Sequence, residues 1–174
     1  MIALTTIDII TRVAVAVGLG TILGLERTLA GKNAGMRTYS MITLGSSIFV
    51  IISEVVVYSL SNPLIASRLI ASPLQVPAAV ITGIGFIGAG LIIFQGNKIS
   101  GLTTAAGFWV ASSIGIASGF GFFTLAIIAT IGALIIFTIM WFIENLLKKY
   151  SYNLTKERNT IHKKLEDLGR EIED

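Results

Sequence analysis

Five α-helices embedded in a lipid bilayer are the fold this sequence predicts, and three observations predict it. Of the 174 residues, 53% are hydrophobic and 13% charged. An ordinary soluble domain carries about 25% charged residues, so water is not the main solvent of this chain. The apolar residues gather into runs close to the roughly 20 residues that span a bilayer core. Eighteen glycines accompany three prolines, a ratio that suits close helix contact better than loops.

The runs divide residues 1–144 into five segments, followed by a charged tail at 145–174. The first covers Ile7 to Leu25. No basic cluster precedes it, and no small-residue cleavage site follows, so it reads as a retained helix rather than a signal peptide. The second covers Thr38 to Leu60. The third, Val76 to Phe94, follows SPLQVP, whose two prolines end any helix arriving from the loop. The fourth, Leu102 to Ser118, is short and rich in small residues; the fifth, Phe122 to Ile143, is the plainest lipid-facing run. In the tail, Leu154, Ile161, Leu165, Leu168 and Ile172 follow a short heptad-like spacing interrupted by Arg158, which predicts a charged cytoplasmic helix.

Orientation follows from the short loops. Arg27, Lys32 and Arg37 lie after segment one, Lys98 after segment three, and Lys148 and Lys149 after segment five, all on one side. The other side holds Arg68 and, near its interface, Arg12. The positive-inside rule then predicts an outside N-terminus and a cytoplasmic C-terminus. The net charge of +3 is small and scattered, which argues against nucleic acid as a partner.

Lipid gives helices no hydrophobic drive to pair, so pairing relies on small-residue seams. Ala16, Gly20 and Gly24 recur every fourth residue in segment one, as do Ala111, Gly115 and Gly119 in segment four. In segment three, Gly83, Gly85 and Gly88 spell G-x-G-x-x-G, the spacing of a dinucleotide-binding turn. That motif needs a preceding strand and an acidic residue about 20 positions on, and no Asp or Glu lies between Glu54 and Glu144. Gly83, Gly85, Gly88 and Gly90, with Gly101, are therefore read as packing positions.

Ionisable groups at membrane depth are functional candidates by default. Arg12 lies about one turn into segment one, within snorkelling reach of the interface, and Glu54 lies in the outer half of segment two without a basic neighbour at helical spacing. Glu26 and Arg27 close segment one as an anchoring pair or a site. Thr103 and Thr104 open segment four, where unpaired N–H groups of a helix start can meet an anion or a carboxylate such as Glu26, or be capped. With no Cys, one His in the tail, and no G-x-S-x-G or H-E-x-x-H motif, neither a nucleophile–base pair nor a zinc site assembles, and an enzymatic role is not expected.

Taken together, RVAVAVGLGTILGLER (12–27), AGMRT (34–38), GIGFIGAGLI (83–92) and GLTTAAGFWVASSIGIASG (101–119) resemble the MgtC/SapB family of prokaryotic inner-membrane proteins. The resemblance covers roughly residues 10–144 and implies a multi-pass protein without cofactor. Arg12, Glu26, Arg27, Arg37, Thr38, Gly83, Gly85, Gly88, Gly90, Gly101, Thr103, Thr104 and Trp109 match positions characteristic of the family. The family commonly carries a stretch like D-P-x-R-x-A-A-Q ahead of segment three, where Ser72, Gln75 and Ala79 stand in this chain. The expected protein is a short member without the folded C-terminal domain of the larger ones. The resemblance implies one of two roles. It is either a regulatory or accessory factor in magnesium-linked homeostasis and virulence, binding other membrane proteins such as the F-type ATP synthase, or a magnesium transporter or channel built as a homo-oligomer, a dimer first.

Overall fold

The structure, a computed structural model, describes residues 4–59, 75–96 and 98–173. Helices α1 (Thr6–Leu29) and α2 (Met36–Ser59) are followed by α3 (Gln75–Gly90), a ribbon of β1 (Ile93–Gln95) and β2 (Lys98–Ser100), α4 (Leu102–Gly119) and α5 (Phe123–Glu173). Arg68, Ser72 and the rest of the α2–α3 connection lie outside the described residues, as do the side chains of the tail's heptad positions.

Local chemistry sets the ends. At the start of α1, the Thr5 hydroxyl accepts from the Asp8 N–H at 3.2 Å, and the Asp8 carboxylate accepts from the Thr5 N–H at 3.0 Å, a reciprocal cap for two otherwise unpaired donors. The helix continues past Leu25, where hydropathy alone ends the segment, and takes Glu26 and Arg27 into its last turn. It stops at Gly31, whose φ of +66° is open to glycine at no steric cost, and the Lys32 N–H donates to the Arg27 carbonyl at 3.0 Å. Helix α2 then starts against α1: the Met36 N–H donates to the Thr28 hydroxyl at 3.2 Å.

Segment three departs from expectation. Its helix ends at Gly90, and Ile93 and Phe94 turn back as a strand, with Ile93 opposite Ser100, Phe94 opposite Ile99 and Gln95 opposite Lys98. The all-helical expectation is corrected by this small antiparallel ribbon. Ile93, Phe94 and Ile99 favour an extended backbone, and Gly96, at φ +58°, allows the tight turn between them. Pro77 sits in the first turn of α3, where its missing N–H has no partner to lose.

Helix α4 packs against α1, α2 and α3, and α2 also packs against α1 and α3. Nine residues of α4 are buried, among them Phe108, Ala111, Ser112, Ile114 and Gly115. Such a helix touches protein on most sides, so it needs small residues and paired hydroxyls rather than a continuous apolar surface. The Ser112 and Ser46 hydroxyls hydrogen-bond at 3.0 Å between α4 and α2, and Thr21 and Ser40 do so at 2.8 Å between α1 and α2.

The glycines divide into two groups. A Cβ on Gly115 would lie 2.5 Å from the Thr43 carbonyl oxygen; on Gly119, 2.8 Å from that of Ser47; on Gly24, 2.6 Å from Met36 Cα; and on Gly20 it would overlap the Thr43 hydroxyl. These four hold α1, α2 and α4 at near backbone contact. Gly88 meets Ala105 at an ordinary 3.5 Å, whereas Gly83, Gly85 and Gly90 have nothing within 4 Å of a built Cβ. The expected seam makes no close contact at these last three among the described residues: Gly83 and Gly90 border hollows, and Gly85 is exposed.

Among the described residues, three helical stretches are long and apolar enough to cross a membrane: Thr6–Leu29, Met36–Val56 and Phe123–Leu147. With 16 residues, α3 rises about 24 Å at 1.5 Å per residue, short of a hydrocarbon core of about 30 Å. The chain divides into two compact units, Met1–Leu134 and Ile135–Asp174, with the boundary inside α5. In the part of α5 belonging to the first unit, Ala126, Thr130 and Ala133 are buried while Leu125, Ile127, Ile128 and Ile131 are exposed. An exposed apolar surface of that extent marks a chain solvated by lipid.

Candidate functional site

Two polar constellations form within the first unit, at opposite ends of α1. At the N-terminal end, Arg12 from α1 meets Glu54 from α2. Its Nη1 donates to the Glu54 carboxylate at 2.5 Å and to the Gly119 carbonyl, the last of α4, at 2.8 Å. The last carbonyls of a helix lack intrahelical partners and carry the negative end of its dipole, so one guanidinium satisfies a carboxylate and a helix terminus together. The Arg12 side chain is 14% exposed and that of Glu54 41%. Gly121, at φ +78°, lies beside the guanidinium and turns the chain from α4 into α5.

At the other end, Glu26 and Arg27, neighbours on α1, form a forked ion pair. Arg27 Nε donates to Glu26 Oε2, and Nη2 donates to Oε1 at 2.7 Å. Arg27 is only 3% exposed and Glu26 20%, a burial that an arginine tolerates when its donors are engaged. Nearby, Tyr39 is fully buried and stacks edge-on against Phe108 of α4, with ring centroids 5.5 Å apart at 79°. Its hydroxyl, like that of Ser47, is buried without a hydrogen-bond partner among the described residues.

Next to this pair, the α1–α2 loop, the ribbon and the first turn of α4 enclose a cavity of about 730 Å³. Lys32 and Asn33 line one side, Ser100, Gly101, Thr103 and Thr104 another, and Thr38, Ile87 and Phe108 its inner wall. Gly101 precedes α4 at φ +91°, with no side-chain cap on the helix start. A Cβ there would overlap the Leu91 carbonyl oxygen, so only glycine lets the ribbon approach the helix this closely.

Of the residues singled out in sequence, the structure joins Arg12 to Glu54 and Glu26 to Arg27, and sets Thr38, Gly90, Gly101, Thr103 and Thr104 around the cavity. Arg37 is exposed in the first turn of α2, and Trp109 is 52% exposed, away from the buried side of α4. The partner of Glu54 escaped sequence reasoning because Arg12 is 42 positions away on another helix. Lys32, Asn33 and Ser100 were missed as cavity residues; the only trace was their place in the two loops that converge. Among the described residues, no three of His, Cys, Asp and Glu come together as a metal cluster.

Comparison with known proteins adds three relatives. A family model described as the MgtC family matches residues 13–146. YhiD of Escherichia coli strain K12, named as a candidate magnesium transporter, is 36% identical over 146 residues, 84% of this chain and 66% of that protein. Protein SapB of Bacillus subtilis strain 168 is 39% identical over 117 residues, 67% of this chain and 49% of its own length. Protein MgtC of Brucella abortus strain 2308 is 34% identical over 113 residues, 65% of this chain and 43% of its own length. The chain thus spans less than two thirds of each of these three relatives. No solved structure matches it.

Proposed function

The chain belongs to the MgtC family and is a membrane protein, and from that premise we propose that it acts as a regulatory or accessory factor in magnesium-linked homeostasis, binding other membrane proteins such as the F-type ATP synthase. In this reading the protein is a multi-pass component of the inner membrane, with five helical segments, an outside N-terminus and a cytoplasmic tail. One observation carries it: Glu26 of α1 and Glu54 of α2, the carboxylates singled out as candidates, are each engaged by an arginine of the same chain. A cation path through lipid depends on acidic or carbonyl groups that a passing ion can recruit, and these two are already committed.

A second reading, a magnesium transporter or channel formed by an oligomer, is favoured by the polar-lined cavity of about 730 Å³ and by the name of the Escherichia coli relative. Flux separates the two. Purified protein in liposomes is expected to move no more magnesium than a Glu26→Gln, Arg37→Ala control, and ATP synthase subunits are expected to co-purify with it from membranes. Magnesium flux well above that control, abolished in the variant, overturns the accessory role in favour of transport.

A further inference from the structure

Beside the polar cavity lies an apolar groove of about 690 Å³ between α2 and α3. The two hollows share Thr38, Ile87 and Phe108, so they adjoin there. Both volumes fall within the range of about 300–1,000 Å³ usual for ligand sites. The α2 wall of the groove runs from Thr38 to Phe49 and the α3 wall from Val76 to Ile87. From first to last residue each wall makes eleven helical steps and rises about 16 Å, close to half of a hydrocarbon core of about 30 Å. The groove is therefore one leaflet long, and its floor is bared by Gly45 and Gly83, neither of which has an atom within 4 Å of a built Cβ.

The mouth has the opposite chemistry. Lys32 supplies a positive charge, Asn33, Ser100, Thr103 and Thr104 supply hydrogen-bonding groups, and among the described residues no Asp or Glu lines either hollow. An apolar slot one leaflet deep, opening into a basic polar cavity, matches a molecule with an acyl chain at one end and an anionic group at the other. Basic pockets between membrane helices bind such headgroups. A second copy of the chain fits less well. A two-fold interface through this groove sets the same patch of both copies against each other, and a patch whose charged lining residue is Lys32 brings no negative group to the cavity.

We propose that the groove and the cavity form one site for a glycerophospholipid with an anionic headgroup, the headgroup beside Lys32 and one acyl chain between α2 and α3. The site is independent of whether the protein transports or regulates, and it extends the proposed function by naming a lipid that the fold retains.

The test uses the full chain, purified in detergent, stripped of lipid and mixed with phosphatidylglycerol or phosphatidylcholine of matched acyl chains, with native mass spectrometry reading the lipid-bound fraction. Phosphatidylglycerol is expected to bind more tightly than phosphatidylcholine. Lys32→Gln is expected to weaken phosphatidylglycerol about fivefold, the effect of one basic group near an anionic lipid, and to leave phosphatidylcholine unchanged. Gly83→Leu places its side chain in open groove and is expected to weaken both lipids at unchanged thermal stability; Gly45→Leu serves if that variant misfolds. Excess inorganic phosphate is expected to displace neither. Equal retention of the two lipids, unchanged binding in the groove variants, displacement by phosphate alone, or a dimer that Gly83→Leu dissolves each overturns the proposal.

Discussion

Replacing Gly115 by alanine tests the packing of the bundle most directly. A Cβ at this position meets the Thr43 carbonyl oxygen at 2.5 Å, Ser46 Cβ at 2.8 Å and Thr43 Cα at 2.9 Å. Non-bonded carbon contacts settle at about 3.5–4.0 Å, so α2 and α4 must separate by roughly 1 Å to admit one methyl group. A gap of that size forfeits a quarter to a half of the attraction between the facing atoms, and overpacking of this kind costs about 1–3 kcal/mol. Alanine also favours a helix over glycine by about 1 kcal/mol, which masks part of the loss. Gly83→Ala removes that ambiguity: it gains the same propensity, while its Cβ has nothing within 4 Å. The difference between the two variants isolates the clash. At about 2–4 °C per kcal/mol for a chain of this size, a clash of about 2 kcal/mol sets the Tm of Gly115→Ala roughly 4–8 °C below that of Gly83→Ala, read by thermal unfolding in one detergent. Equal midpoints would refute the reasoning, since the helices would then be free to move apart without loss.

Two further outcomes are expected. In a double-mutant cycle of Arg12→Gln and Glu54→Gln, followed by unfolding in detergent, the coupling is about 1 kcal/mol, because Glu54 is two-fifths exposed and solvent screens the pair. Arg12→Gln alone costs more than Glu54→Gln, since it also strips the Gly119 carbonyl of its donor; the reverse order contradicts the assignment. Gly101→Ala forces a left-handed φ of +91° on a residue with a Cβ, at about 1–3 kcal/mol, and limited proteolysis within the 93–100 ribbon speeds up. An unchanged cleavage rate means that the ribbon is not held by this close approach.

The chain announces its lipid solvent openly, because 53% hydrophobic residues cannot be hidden inside so small a molecule. Steps of four in Ala16–Gly20–Gly24 and Ala111–Gly115–Gly119 were equally visible, since one helix face is encoded by spacing alone. Spacing does not say what stands opposite that face. Gly83, Gly85 and Gly90 carry the same residue type, yet none has an atom within 4 Å of a built Cβ. The end of α3 was misplaced because Leu91–Phe94 prolongs the hydropathic run, while the extended preference of Ile93 and Phe94 acts only through a partner strand. The end of α1 was placed too early for the converse reason: Glu26 and Arg27 lower hydropathy, but both are good helix formers and pair with each other. The Arg12–Glu54 contact and the groove between α2 and α3 depend on which helices become neighbours, and no local pattern carries that information.

With Arg12 binding Glu54 and the terminal carbonyl of α4, three helices are pinned at a single point. A tilt among them that pivots there displaces atoms least near the guanidinium and has to be absorbed at the far ends, where the Thr28–Met36 contact already ties α1 to α2. The Gly31–Gly35 connection and the β-ribbon stand at those far ends. A change of angle among α1, α2 and α4 about this rivet would therefore register as a swing of loops one helix length away.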